Sequence, residues 1–158
     1  MSDPLDDLAP LIEAGPNGFL VRAFHSGTYR VRWLDGSERA AEAALPPAFE
    51  LGRGWTVELP PEMGVQGPFE LDRLIPLNEH PLPVLRYCAG RATWRATFEW
   101  PPPATPNVQE WWLDLGRVES VAEVLLNGER VAVLWTAPYA VEVTRRLRPG
   151  PNQIEVRV

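Results

Sequence analysis

The stretch AEVLLNGERVAVLW, residues 122–135, decides how this chain reads. Asn127-Gly128 sits between two apolar runs, and this dipeptide takes up the positive φ values of a two-residue hairpin turn with little strain. Such a loop pairs Leu126 with Glu129. It predicts Val124 opposite Val131 and Ala122 opposite Val133, so that one face of both strands is apolar. The alternation continues downstream, where Tyr139, Val141 and Val143 interleave with Glu142 and Thr144, and Pro149-Gly150-Pro151-Asn152 turns the chain into a last strand, Ile154 to Val158. Upstream, RATWRATFEW (91–100) sets Trp94, Ala96, Phe98 and Trp100 on one face and Arg95, Thr97 and Glu99 on the other. WWLDLG (111–116) likewise divides Trp111, Leu113 and Leu115 from Trp112 and Asp114.

The first half of the chain is read by the same period. Phe19–Phe24 and Thr28–Trp33 are strands, the second turned by Asp35-Gly36, and Leu51–Leu59 is another, closed by Pro60-Pro61. Residues 62–84 form a long Gly- and Pro-rich connection with one helical turn predicted around Leu71-Asp72-Arg73-Leu74. Before Gly15 the spacing of Leu5, Leu8, Leu11 and Ile12 suggests a short helix, with Asp3 as cap and Pro4 in its first turn, although Pro10 falls inside it. Eight or nine short strands and no helix long enough for a parallel crossover predict an all-β sandwich or jelly roll of one domain.

Composition narrows the chemistry. The chain has 158 residues, with 18 Pro and 12 Gly punctuating it too often for long helices. All fifteen of its cations are Arg, which excludes a Walker-type phosphate loop, a Schiff-base lysine and a pyridoxal-linked lysine within this chain. Cys88 has no thiol to pair with, and His25 and His80 lack metal-ligand spacing. A net charge of −6 argues against nucleic acid and anionic membranes as partners. The acidic start Met1-Ser2-Asp3-Pro4 is not an export signal, and no run spans a bilayer.

Five segments together carry a resemblance. They are Trp94-Arg95-Ala96-Thr97-Phe98, Leu113-Asp114-Leu115-Gly116-Arg117-Val118, Asn127-Gly128, Val141-Glu142-Val143-Thr144, and the run from Gly150-Pro151-Asn152 to Val158. In order and spacing they resemble the sugar-binding, galactose-binding-like domain of family 2 glycoside hydrolases. Gly54-Trp55-Thr56-Val57, Leu71-Asp72-Arg73-Leu74 and Tyr87-Cys88-Ala89-Gly90-Arg91-Ala92-Thr93-Trp94 extend the likeness to the C-terminal β-sandwich of family 106 α-L-rhamnosidases. The resemblance covers residues 19–158 and leaves 1–18 as an N-terminal extension. It implies a galactose-binding-like jelly roll that is a piece of a larger glycoside hydrolase, with that enzyme's catalytic domain as its partner and an oligosaccharide as a further one. The catalytic carboxylates are then expected outside these residues, in a parent enzyme that is secreted or periplasmic.

The residues themselves fit that expectation. Glycoside hydrolysis needs two carboxyl groups at a set separation, and Glu110, Asp114, Glu119 and Glu123 are close in sequence, but Glu119 and Glu123 fall at turn or solvent-face positions. No catalytic residue is assigned. A sugar contact needs a flat apolar ring beside hydrogen-bonding groups. Trp33, Trp55, Trp94, Trp100, Trp111 and Trp135 share parity with apolar neighbours and read as core, whereas Trp112 shares its face with Asp114. Trp112 and Asp114, with Arg95, Glu142 and Tyr139 as weaker companions, are therefore the candidate sugar-binding residues. No cofactor is expected, and no cluster of loop oxygens marks a structural calcium site. The competing readings are a structural module without ligand, a small lectin-like protein and a small independent hydrolase.

Overall fold

The computed structural model describes residues 10–15, 18–101 and 110–158. Its strands are β1 (Leu11–Gly15), β2 (Gly18–Arg22), β3 (Gly27–Arg32), β4 (Glu38–Ala43), β5 (Trp55–Glu58), β6 (Phe69–Leu71), β7 (Thr93–Trp100), β8 (Trp112–Asp114), β9 (Ala122–Leu126), β10 (Glu129–Leu134), β11 (Ala140–Glu142) and β12 (Gly150–Arg157). One short helix, α1 (Pro83–Arg86), interrupts them. They fall into two compact units, residues 1–48 and 49–158.

The first unit consists of two antiparallel hairpins. β1 pairs with β2, Leu11 opposite Arg22 and Gly15 opposite Gly18, so the helix expected before Gly15 is a strand over its described part. Pro10 has no N–H to give a helix, and the alternating run from Phe19 to Arg22 offers a cross-strand partner for each residue that follows it. Asp3, Pro4, Leu5 and Leu8, on which the cap and first turn rested, lie outside the described residues. β3 and β4 are joined through Asp35-Gly36 as expected, with the Asp35 carboxylate accepting bonds from the Ser37 hydroxyl (2.7 Å) and backbone N–H (2.9 Å). Those bonds hold the Asp35 carboxyl below its ordinary range. None of the described residues of this unit is fully buried. Trp33 is 37% exposed and meets Phe19 edge-on, not in a core, because a two-stranded ribbon has no second layer to cover it.

The second unit holds the core. Its main sheet has six strands in the order β10-β9-β12-β7-β5-β6, and a two-stranded ribbon, β8 with β11, forms a separate sheet. The alternation read from the sequence sorts the large sheet into two faces. Trp55, Val57, Leu71, Ala96, Val124, Leu126, Ile154 and Val156 are buried on the inner one. Leu113 and Val141 of the ribbon and the fully buried Leu85 of α1 pack against this core, which makes the unit a β-sandwich. Leu71 ends a strand opposite Trp55, so the helical turn expected at 71–74 is absent there; 3-10 turns sit at Pro61–Met63 and Leu77–Glu79 and the α-helical turn at Pro83–Arg86, where Pro83 occupies the first turn.

The Asn127-Gly128 hairpin forms with Leu126 opposite Glu129, and Asn127 and Gly128 have φ of 54° and 82°. Beyond it the register departs from expectation. Leu125 pairs with Arg130, then a bulge at Val131 brings Ala132 opposite Val124, Val133 opposite Glu123 and Leu134 opposite Ala122. One extra residue inverts the facing of everything after it. Val133 therefore points outward at 49% exposure and Trp135, expected in the core, is 78% exposed.

Candidate functional site

The ribbon gathers three of the candidate residues. Trp112 lies opposite Glu142 in the β8–β11 register and Asp114 lies opposite Ala140, so Trp112, Glu142 and Asp114 share the ribbon's outward face while Leu113 and Val141 turn to the core. Each carboxylate also holds a local turn. Asp114 accepts the Gly116 N–H at 2.8 Å, and Glu142 accepts the Thr144 N–H at 2.7 Å. Thr144 in turn receives the Trp111 N–H at 2.7 Å, which fixes the ribbon's end. The Trp112 indole, 36% exposed, donates to Glu110 at 3.3 Å. An aromatic ring bordered by three carboxylates can stack on the C–H face of a pyranose and accept bonds from its hydroxyls.

Tyr139 and Arg95 are placed elsewhere. The Tyr139 carbonyl accepts the Leu115 N–H at 2.9 Å, and the side chain is half-buried with the parity of Val141. Arg95 stands on the solvent face of the six-stranded sheet, beyond the core from the ribbon. There it bonds both Glu58 and Glu155, the latter at 2.6 Å. Glu155 continues to Arg157 at 2.6 Å, Arg157 to Glu123 at 3.1 Å, and Glu123 to Arg130 at 3.9 Å. Three anions and three cations thus alternate across β5, β7, β12, β9 and β10.

This ladder sets the charge states on the sheet. Burial pushes the Glu155 carboxyl up, but the bonds from Arg95 and Arg157 together outweigh it and hold the group below its ordinary value of 4.5. The bond to Glu58, then that to Glu155, raises Arg95 further above its ordinary range, and Glu155 does the same for Arg157. A glycosidase acid needs the opposite displacement. Burial pushes the Cys88 thiol up, away from the thiolate a nucleophile requires. Among the described residues no group of three or more His, Cys, Asp or Glu could hold a metal ion. No helix among them is long and apolar enough to cross a membrane.

The motif asparagines have structural work. Asn152, 2% exposed, accepts from Asn127 Nδ2 (2.9 Å) and the Arg148 N–H (3.0 Å) and donates to the Arg148 (2.6 Å) and Gly150 (2.9 Å) carbonyls. Asn127 also donates to the Arg146 carbonyl and accepts the Gln153 N–H. The Asn-Gly hairpin and the Gly-x-Asn strand start are thereby bolted to one turn, residues 146–150. These are the residues by which such a fold is recognisable in sequence.

The architecture of residues 49–158 is thus a β-sandwich stitched by that asparagine node. Residues 72–158 match the family described as glycosyl hydrolase 2 galactose-binding domain-like, and the chain belongs to that family. A "Putative beta-glucuronidase" of Formosa agariphila is 30% identical over 135 residues, which are 85% of this chain and 12% of the relative. The rhamnosidase of Novosphingobium sp. PP1Y is 32% identical with a TM-score of 0.63, over 74% of this chain and 12% of that one. Ruminococcus gnavus beta-glucuronidase shares the fold at 19% identity, with a TM-score of 0.53 over 68% of this chain and 20% of its own. The chain thus spans about an eighth of the length of the two relatives that are at least 30% identical to it.

Proposed function

We propose that this domain is a non-catalytic module of a larger glycoside hydrolase of the rhamnosidase or glucuronidase kind, where it braces the catalytic domain. The observation that carries the reading is an apolar corner on the otherwise ion-paired face of the large sheet. Val133 and Trp135 point outward there beside Val121, at 49%, 78% and 48% exposure. An exposed tryptophan two residues beyond Val133, which stands opposite the ion-paired Glu123, has the anatomy of an interface anchor. The catalytic domain of the parent enzyme supplies the matching surface, and its own carboxylates do the bond-breaking.

The ribbon face of Trp112, Asp114 and Glu142 supports a second role, glycan contact, within the same module. The tests separate the roles. The purified chain is expected to turn over no aryl rhamnoside or glucuronide; turnover abolished by one carboxylate substitution overturns the proposal. In the parent hydrolase, Trp135→Ser should lower the thermal midpoint of the catalytic domain while changing the isolated chain by less than about 0.5 kcal/mol. An unchanged parent enzyme would remove the bracing role.

A further inference from the structure

The asparagine that turns the β9–β10 hairpin is also the member of the node most open to chemical change. A side-chain amide followed by glycine can be attacked by the glycine's own backbone nitrogen, because glycine has no Cβ to keep that nitrogen away from the amide carbon. Among the described asparagines, Asn78 precedes Glu79 and Asn152 precedes Gln153, whereas Asn127 precedes Gly128. Gly128 is exposed, and a Cβ built on it would meet no atom within 4 Å. Water and base therefore reach that side of the turn.

The fold holds the amide away from this reaction. Asn127 Nδ2 donates to the Arg146 carbonyl and to Asn152 Oδ1, each at 2.9 Å, and Asn127 Oδ1 accepts the Gln153 N–H at 3.0 Å. The backbone N–H of Asn127 also donates to the Gln153 carbonyl, at 2.8 Å. These partners of the amide come from residues 146–153 and none from the turn itself. Closing a ring onto the Gly128 nitrogen swings the side chain back over its own loop, and that movement gives up all three amide bonds together.

We propose that Asn127 is a deamidation site, shut by the node in the folded domain and exposed whenever the node opens. The Gly128 nitrogen gives its proton to a solvent base and bonds to the side-chain carbonyl carbon of Asn127. The bond from that carbon to the amide nitrogen breaks, ammonia leaves, and a cyclic imide remains. Water then opens the ring at either carbonyl. One product is aspartate; the other, isoaspartate, routes the main chain through the side chain and adds a methylene to a two-residue loop whose residues have φ of 54° and 82°. Neither product restores the node. A carboxylate turns acceptor oxygens toward the Arg146 carbonyl and Asn152 Oδ1, where the amide presented N–H groups. The modification is one-way, and a domain that ages while open does not reclose as before.

Ageing the 158-residue chain in mildly alkaline buffer tests this, with peptide mapping that separates Asn127 from the other Asn-Gly of the sequence, Asn17-Gly18. Asn127 in the folded chain should deamidate at least about tenfold more slowly than in the free peptide of residues 124–131, a lag that urea abolishes. Equal rates in folded chain and peptide overturn the shielding. Asn152→Ala removes one partner of the amide and should speed the loss of Asn127 severalfold; an unchanged rate means that the node does not hold the amide. For the product, Asn127→Asp should unfold at a lower urea midpoint than Asn127→Gly, which keeps the turn and brings no carboxylate. The gap should close in acid, where a protonated carboxyl can again donate. No gap near neutrality, or one that acid leaves unchanged, overturns the claim that the product blocks reclosure. Failure of Asn127→Asp to fold near neutrality, where Asn127→Gly folds, supports it.

Discussion

Asn152 shows how much a single side chain can organise. A buried amide costs free energy unless its donors and acceptor are all met, and here four bonds meet them. Asn152→Ala strands the Arg148 and Gly150 carbonyls and one face of Asn127 together, so a loss of about 3 kcal/mol is expected in urea denaturation. A loss below about 1 kcal/mol would show that water replaces the node. The motif Gly-x-Asn was legible in the sequence, but its partners lie across three segments that only folding brings together. Trp112 was legible for the opposite reason: its parity alone set it apart, and the ribbon register does place it outward.

At the scale of strands, the charge ladder is the feature that alternation could not supply. Each Arg and Glu could be assigned to a solvent face from period two, but their partners depend on the order β9-β12-β7-β5, which is set by long-range pairing. Because Glu155 has a lowered carboxyl pKa in the fold, its contribution is present above the ordinary value of 4.5 and is lost as pH falls through the lower, folded value. Glu155→Gln should therefore be less stable than the parent chain near neutrality, by up to about 1 kcal/mol after solvent screening. The two curves should converge in acid, and a difference that persists at low pH would mean that packing, not charge, is at stake. The bulge at Val131 belongs to this scale as well. Nothing in VAVLW marks it, since a regular strand and a bulged one carry the same apolar letters, and the error it caused for Trp135 follows from one residue of phase.

For the molecule as a whole, the division of the core is the guiding fact. Among the described residues the hydrophobic core lies within 49–158, and the unit of residues 1–48 has no fully buried residue. A fragment of residues 49–158 is expected to unfold cooperatively with a well-dispersed amide spectrum, while a fragment of residues 1–48, two hairpins deep, should be unstructured by circular dichroism. A molten 49–158 fragment would mean that the sandwich needs the hairpins to complete it. The span from residue 19 onward is what the family resemblance implies, while strand patterning by itself carries no information on which strands share a sheet.

Taken alone, the sequence determined the all-β class, the Asn-Gly turn and the inward parity of the sandwich residues, because those follow from local φ preference and from a side-chain period of two, and its motifs carried the family. Tertiary structure decided the bulge that exposes Trp135, the partners of Arg95, Asn127 and Asn152, and the strand nature of residues 11–15. Each of these depends on which distant backbone lies alongside, and hydrogen-bond pairing between remote segments is settled only when the sheet assembles.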